Sequence, residues 1–396
     1  MSRTTIATDL YWSLPGPRNF IARVAESISS SRILWVNLPT EVLPGTWEGV
    51  LAGLRDAHIE NPINLIIRGG TDIASDIGVH FSAKRITAEE LISLEAPRRT
   101  AIVLRAEGID GAKNCNAYAQ EYLEALGKGC GNVHLVIAGH DDSLTADVKQ
   151  GEIQVIAFDG GLSADEMDAY VALRMLSRPG PGSTRLSRAI ISEFAGFDVE
   201  LAEQLIQLDE SQIVNIVDNL GVLMGEGPYR WRSDSWLMRT RSSSAPGMTH
   251  VLHDCFLSEH GLPDEKEKAA SRVKARYWRA CVKTLTPWLE ERRVRVIEYF
   301  SSEIQRLAST NNGKIAKPLP NNKIIYIDPA ELEYNNIVGI SRNAGLSINT
   351  ADQAAALSIC KTAKDVRDDI AHLRMPKPEN VSRLINEMDR LVISKS

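Results

Sequence analysis

The chain lacks any apolar run that approaches the roughly 20 residues of a membrane-spanning helix. Its first residues, MSRTTIATDLYWSLPG, also lack the basic-then-apolar layout of a secretion signal. The five cysteines form no CxxC pair and no even set, so they predict reduced thiols and no disulfide framework. These absences together predict a cytoplasmic protein.

A strong excess of positive charge is also missing, because 45 Lys and Arg residues stand against 51 Asp and Glu residues. The net charge of −6 excludes a protein that coats nucleic acid through its overall charge, although a local basic face remains open. Hydrophobic residues make up 43% of the 396 residues, which is typical of a folded chain. This length predicts two or three domains.

The first 160 residues alternate between short apolar runs and amphipathic stretches. The apolar runs occupy residues 32–38, 63–67, 100–104, 133–138 and 153–157. Nearly continuous apolar strands that alternate with helices indicate a parallel sheet covered on both faces. We therefore predict an α/β parallel-sheet domain over residues 1–160.

Over residues 161–262 the sequence pattern changes from alternating strands and helices to helices. Ser163, followed three residues later by Glu166, fits a capping box at the start of a helix. Several helical stretches follow, and residues 229–239 then alternate as a small hairpin would. This outline predicts a helical lid or a winged-helix-like module.

Cations and aromatic residues are interleaved in that hairpin, around Trp231 and Trp236. The arginines that we expect to contact nucleic acid are Arg230, Arg232, Arg239 and Arg241. Such a pattern suits backbone contact and base stacking. The alternative, an ordinary wing with its tryptophans packed inward, stays open.

Residues 263–396 predict an all-α bundle. A long charged helical stretch covers residues 265–307, and we expect Pro287 to kink it or to divide it into two helices. A turn-rich segment at 311–322 separates it from three further helical stretches.

A phosphate-binding loop would be expected before the first long helix of a nucleotide-binding α/β domain. The segment at that place, LPGPRNF (14–20), has neither the GxxxxGK[ST] spacing nor its lysine and hydroxyl residue. Gly16, Arg18 and Asn19 are the candidates for a degenerate anion site, and a plain turn is the alternative. The run 100–104 ends in Arg105 rather than in paired acids. We expect no ATP hydrolysis and no cofactor.

The order of these elements resembles that of AAA+ and STAND-type P-loop NTPases. Gly139-His140-Asp141 follows an apolar run where those families keep a polar sensor, and residues 156–167 resemble their lead into the lid. The resemblance covers roughly residues 10–245. It implies a degenerate P-loop NTPase-like fold.

Metal-capable residues occur together once, as His250-x-x-His253-Asp254-Cys255 with His260 nearby. No second cluster completes a tetrahedral set, so we interpret the segment as a plain loop and expect no metal site.

The most informative pattern is Arg367-Asp368 followed by His372. On a helix, Arg367 and His372 lie about 140° apart, close enough to border one groove. The string resembles the R-x(4–6)-H motif of HEPN domains, and the resemblance covers residues 264–395. It implies that Arg367 stabilises a phosphate, that His372 acts as acid and base, that Asp368 orients one of them, and that two protomers pair around one cleft. The alternative is a helix whose Arg367 and Asp368 are solvated while His372 packs at the helix end.

These resemblances together predict a component of a prokaryotic defence or conflict system, with a non-hydrolysing NTPase-like sensor half and an RNA-cleaving HEPN-like effector. The alternative is a non-catalytic scaffold or nucleic-acid-binding subunit of a larger defence complex. We expect the C-terminal helical domain to form a homodimer or to bind a partner protein of the same system. RNA is the expected ligand, and no membrane is expected.

Overall fold

The computed structural model describes residues 7–38, 43–59, 62–94, 100–127, 132–140, 153–158, 160–176, 185–225, 249–318, 323–343 and 345–393. The chain divides into two compact units. The α/β unit comprises Met1–Tyr170, Gly196–Glu203 and Trp231–His250. The helical unit comprises Val171–Ala195, Gln204–Arg230 and Val251–Ser396.

Five strands form the sheet of the α/β unit. They are β1 (Ile33–Leu38), β2 (Ile63–Ile67), β3 (Thr100–Ala106), β4 (Val133–His140) and β5 (Gln154–Ala157). Their order across the sheet is β2-β3-β4-β1-β5, and every neighbouring pair is parallel. The parallel α/β domain predicted from the apolar runs is therefore confirmed.

Helices precede and connect these strands. They are α1 (Thr8–Ser13), α2 (Pro15–Ser30), α3 (Thr46–Asp56), α4 (Ile73–His80), α5 (Ala88–Ser93) and α6 (Gly108–Leu126). One face of the sheet packs Trp35 and Leu104 with Tyr118 and Tyr122 in a continuous apolar core. α2 and α3 pack closely at Gly53, where a Cβ atom would come within 2.7 Å of the Ile21 carbonyl oxygen.

Short helices continue the chain beyond the sheet. They are α7 (Ala164–Leu176), α8 (Arg185–Ala195), α9 (Val199–Ile206), α10 (Glu210–Val214) and α11 (Ile216–Gly225). The capping box predicted at the start of α7 is confirmed, because Ser163 Oγ accepts from the Glu166 N–H at 3.4 Å and the Ser163 N–H donates to Glu166 Oε2 at 2.9 Å. The hairpin predicted at 229–239 lies outside the described residues, so the winged-helix module remains a prediction.

The C-terminal part of the helical unit is a bundle. Its helices are α12 (Val251–His260), α13 (Pro263–Ile297), α14 (Ser301–Ser309), α15 (Tyr334–Asn343), α16 (Ala351–Ala371) and α17 (Pro378–Ile393). Tyr277 and Leu289 of α13 and Ile359 of α16 are buried in its core. The predicted division into two helices at Pro287 was wrong, because α13 continues through this residue. A proline removes one backbone hydrogen bond, and the buried residues of α13 on both sides of Pro287 keep the helix in place.

An antiparallel hairpin interrupts the bundle, so the all-α prediction for residues 263–396 was also wrong. β6 (Ile315–Pro318) pairs with β7 (Ile324–Ile327). β7 consists of β-branched and aromatic residues, which favour strands. In the part of the chain that the structure describes, no helix is both long enough and apolar enough to cross a membrane.

Candidate functional site

The Arg367 and His372 positions predicted from the motif lie at the C-terminal end of α16. Arg367 is in its last turns, and its side chain is 31% exposed. His372 is the C-cap residue and is exposed, and its backbone N–H donates to the Asp368 carbonyl at 3.1 Å. Both side chains of the motif are thus accessible to a ligand on one end of one helix.

Two carboxylates from other parts of the helical unit orient Arg367. Glu333, next to the first residue of α15, lies 3.4 Å from Nη1 of Arg367. Glu290 of α13 lies 3.6 Å from Nη2 and also accepts a hydrogen bond from Arg293 Nε at 3.0 Å. Neither contact to Arg367 has the 2.7–2.9 Å separation of a charge-assisted hydrogen bond. The guanidinium is therefore held in place without its donors being saturated.

Asp368 makes a side-chain contact that the motif does not predict. Its Oδ2 accepts from Lys364 Nζ at 2.7 Å, one helical turn earlier, and this bond raises the pKa of the lysine. The carboxylate thus binds a lysine of its own helix, and a role in orienting Arg367 or His372 stays a prediction. The i,i+4 spacing explains the difference, because it places a lysine next to the carboxylate on the same helical face.

The end of α16 is fixed by backbone contacts. Trp278 of α13 donates from Nε1 to the Ile370 carbonyl at 2.9 Å. Leu373 then takes a left-handed backbone conformation (φ 57°), and the Arg374 N–H returns to the Asp369 carbonyl at 2.8 Å. A non-glycine residue in this conformation is strained, so the turn directly after His372 stores conformational energy.

Glu290 and Glu333 are functional candidates that the motif alone does not reveal. They lie 77 and 34 positions before Arg367, so no local spacing connects them with it. Tyr334 fixes the segment that carries Glu333, because its hydroxyl donates to the Leu289 carbonyl at 2.8 Å. Only the packing of α13 against α15 and α16 brings the three charges together.

A second candidate site lies at the carboxyl edge of the parallel sheet. β1 and β4 are neighbours, but the chain then leads from β1 to the far strand β2 and from β4 to β5. Ligands of open α/β sheets bind outside the strand ends at such a reversal. The connection between β1 and α3 contains no lysine, and residues 39–42 of it lie outside the described residues.

Arg105 and Trp47 occupy this edge. The Arg105 guanidinium, at the end of β3, stacks 3.8 Å from the ring centroid of Trp47 in the first turn of α3. Burial lowers the pKa of Arg105, although Glu107 and Glu48 oppose the shift. Glu107 itself forms an ion pair with Arg68 at 2.8 Å. A cation–aromatic pair with Glu48 and Glu107 nearby thus stands at the carboxyl end of β3.

Gly16, Arg18 and Asn19 lie in the first turns of α2, which follows α1, whereas a phosphate loop follows a strand. Arg18 and Asn19 are exposed. The Gly16 N–H donates to the Glu166 carboxylate, and a Cβ on Gly16 would come within 2.8 Å of Glu166 Oε1. The chain's own carboxylate therefore occupies the anion position that we predicted at this helix N-terminus.

The remaining predicted residues divide into two groups. Arg230, Arg232, Arg239 and Arg241 lie outside the described residues, so their nucleic-acid contacts remain a prediction. Of the metal-capable residues, His250 Nε2 lies 3.1 Å from Asp198 Oδ2, and Asp254 is paired with Arg272. The plain loop that we predicted for this segment was wrong, because Val251–His260 form α12. Among the described residues, no three His, Cys, Asp or Glu side chains converge as a metal site.

Comparisons with known proteins give only remote similarities. No family model and no curated protein match the chain. The RuvB Holliday junction branch migration motor of Thermotoga maritima is 13% identical, with a TM-score of 0.32 over 63% of this chain and 76% of that chain. Cdc6p from Pyrobaculum aerophilum is 12% identical, with a TM-score of 0.32 over 80% of this chain and 91% of that chain. These values are too low to assign a family.

The fold and the two sites describe a two-unit protein with one candidate site in each unit. The chain joins a five-stranded parallel α/β unit to a largely helical unit. The sheet edge carries a cation–aromatic pair, and the helical unit carries an oriented arginine near an exposed histidine.

Proposed function

We propose that the helical unit is a HEPN-like, metal-independent endoribonuclease and that the α/β unit is a degenerate, AAA+-like sensor that does not hydrolyse ATP. The observation that carries the proposal is the state of Arg367. Its guanidinium is oriented by Glu290 and Glu333 without close hydrogen bonds and lies on the same helix end as His372. An arginine in this state has donors for a phosphate group.

The proposed chemistry uses the side-chain types of Arg367 and His372, a guanidinium and an imidazole. The RNA 2′-oxygen attacks the neighbouring phosphorus, and the bond from phosphorus to the 5′-oxygen of the next nucleotide breaks. His372 accepts the 2′-hydroxyl proton, and an imidazolium returns a proton to the leaving 5′-oxygen, because histidine moves protons near neutral pH. Arg367 stabilises the additional negative charge of the phosphorane with its forked donors.

Pairing of two copies would supply acid and base on opposite sides of the phosphate. One motif offers one imidazole, whereas an isologous two-fold contact brings a second imidazole to the same cleft. A partner protein of the same defence system with a similar helical domain would serve equally.

Cleavage of RNA by the purified full chain in the presence of EDTA tests the nuclease proposal. We expect Arg367→Ala and His372→Ala each to lower the rate by about 10²-fold or more, the usual scale for general acid–base and charge-stabilising groups. Arg295→Ala is the matched control, because Arg295 is an exposed cation of α13. Equal rates for all four proteins would refute the assignment.

The sensor half is proposed to lack ATP turnover. The Arg105–Trp47 pair and the absence of a lysine between β1 and α3 support this. Calorimetry with ATP and magnesium should give no heat of binding in the micromolar range. A micromolar dissociation constant would contradict the proposal.

A non-catalytic scaffold is the second candidate, and one observation favours it. Arg367 already has two acidic neighbours, which a purely structural arginine would also have. In that case the protein should co-purify with products of neighbouring genes and leave RNA intact. A chain that cleaves RNA without a partner would exclude the scaffold role.

The role in prokaryotic defence is proposed from the joint resemblance to NTPase-like sensors and HEPN-like effectors. Cells that express the chain should restrict phage plaque formation, and cells that express His372→Ala should not. Equal plaque counts for both and for cells without the gene would contradict this role.

A further inference from the structure

Two arginines of the helical unit share the carboxylate of Glu290. Its Oε2 accepts a hydrogen bond from Arg293 Nε at 3.0 Å, whereas its Oε1 lies 3.6 Å from Arg367 Nη2. Arg293 stands three residues after Glu290 on α13, so the two side chains are neighbours on one helical face. Arg367 reaches the same carboxylate from α16. Glu290 therefore makes its closer contact with the arginine of its own helix.

Arg293 also holds the segment that carries Glu333, the second acid beside Arg367. Its Nη1 donates to the Leu332 carbonyl at 2.6 Å, and Leu332 immediately precedes Glu333 in the chain. One guanidinium thus bonds to Glu290 directly and to the backbone next to Glu333. Both acids that flank Arg367 depend on Arg293 for their position.

The sharing of Glu290 decides how many donors Arg367 keeps. A carboxylate beside two guanidinium groups forms a close, charge-assisted pair with whichever of them it can approach to about 2.8 Å. Without Arg293, the half-exposed Glu290 side chain would lose its 3.0 Å partner and turn towards Arg367. The protein's own acid would then take up Arg367 donors that a phosphate needs.

We infer that Arg293 is a positioning residue for Arg367. It keeps Glu290 and the segment of Glu333 at separations that orient the Arg367 guanidinium and leave its donors available to a phosphate. The inference rests on the proposed function, because it takes Arg367 as the group that stabilises the phosphate. Arg293 acts through Arg367 and makes no contact with RNA in this scheme.

Cleavage kinetics of Arg293→Gln, Glu290→Gln and the double variant test the inference. We expect Arg293→Gln to lower kcat by about 10-fold with little change in KM, because Arg367 acts in the transition state and a displacement of about 1 Å costs up to about 10²-fold. Glu290→Gln removes the carboxylate that would close onto Arg367, and Glu333 still contacts Arg367. The double variant should therefore cleave faster than Arg293→Gln, whereas a purely structural role predicts that it is no faster.

Arg306→Gln is the matched control. Arg306 of α14 makes the same two kinds of bond, because its Nε donates to Glu303, three residues earlier, at 3.1 Å and its Nη2 donates to the Gly345 carbonyl at 2.8 Å. None of these contacts involves Arg367 or the two acids beside it. Arg306→Gln should leave kcat and KM unchanged.

Urea unfolding without RNA tests the inference independently of the nuclease proposal. The coupling between Glu290→Gln and Arg367→Ala is measured as the non-additive part of their shifts in the urea midpoint. If Glu290 closes onto Arg367 once Arg293 is gone, this coupling should be larger in the Arg293→Gln background than in the wild-type background. In the Arg306→Gln background it should equal the wild-type value.

Two results would overturn the inference: a coupling that is the same with and without Arg293, or a double variant that cleaves no faster than Arg293→Gln. The nuclease proposal fails separately, if the folded wild-type protein leaves RNA intact. In that case the urea measurements alone decide whether Arg293 keeps Glu290 away from Arg367.

Discussion

Replacing Asp254 with alanine tests how strongly the buried ion pairs hold α12 against α13. Asp254 is fully buried, and the substitution removes the α12 carboxylate that lies 3.8 Å from the buried Arg276 guanidinium. Removing one partner of a buried pair costs about 3–5 kcal/mol. Arg272 is partly exposed and turns towards water, and Arg276 keeps its 2.8 Å bond to the Glu193 carbonyl. We therefore expect the lower end, about 3 kcal/mol.

Urea unfolding followed by circular dichroism measures this loss. In a thermal scan, about 3 kcal/mol corresponds to a Tm lower by about 6–12 °C for a unit of this size. Asp365→Ala is the matched control, since Asp365 is exposed on α16, and its effect should stay within about 0.5 kcal/mol. Adding Arg276→Met to Asp254→Ala should recover part of the loss, because it removes the buried charge.

A loss below about 1 kcal/mol for Asp254→Ala, equal to that of Asp365→Ala, would refute the reasoning. It would mean that solvent reaches Arg276.

Three further predictions concern single positions. Leu373→Gly should raise the free energy of unfolding by about 0.5–1 kcal/mol in urea, since Leu373 is left-handed and largely exposed; an unchanged or lower value would contradict the strain. Burial opposes ionisation of Glu166, but hydrogen bonds from Ser163 and Gly16 outweigh it and lower its pKa. The contribution of the Glu166 carboxylate to the free energy of unfolding should therefore be present above about pH 4.3 and be lost as the pH falls further. Glu166→Gln should lower the free energy of unfolding at about pH 7 and lower it less at about pH 3.5. An equal loss at both pH values would contradict this. Burial raises the pKa of Cys281 to about 12, so a colorimetric reagent should modify it only after unfolding, and rapid modification of the native protein would contradict its burial.

The sheet was predictable because its strands are buried on both faces. A strand such as β4 then consists of apolar residues almost throughout, which is visible without any long-range information. β7 is mostly exposed and only four residues long, so its β-branched residues did not stand out from the turns around it. Length and burial therefore decided which strands the sequence reveals.

The candidate sites were predictable only where they are local. Arg367 and His372 share one helix end, and their spacing identifies them. Glu290 and Glu333 come from distant positions, and nothing in the sequence connects them with Arg367 before the bundle is packed. The helical spacing of Arg272 and Arg279 on α13 is visible in the sequence, but the carboxylates of Asp254 and Glu193 that pair with them lie on α12 and α8.

The predicted phosphate site shows a different error, in which a local pattern suggested a site that the fold does not form. Gly16 and Arg18 suggested an anion site, because they stand before the first long helix. The first strand of the sheet comes after that helix, so the strand-to-helix connection lies at 39–45 instead. The Glu166 carboxylate, 150 positions away, accepts a hydrogen bond from the Gly16 N–H. No local sequence pattern indicates this long-range contact.

The most direct test of the central claim is whether cleavage depends on the 2′-hydroxyl and on His372. The purified chain would be incubated in EDTA with an RNA and with the same sequence carrying a 2′-deoxy nucleotide at the cleaved position, and the product ends would be identified. The account predicts a 2′,3′-cyclic phosphate and a 5′-hydroxyl from the RNA, no cleavage at the deoxy position, and formation of both products slower by about 10²-fold or more with His372→Ala. An intact RNA, cleavage at the deoxy position, or equal cleavage by His372→Ala would contradict it.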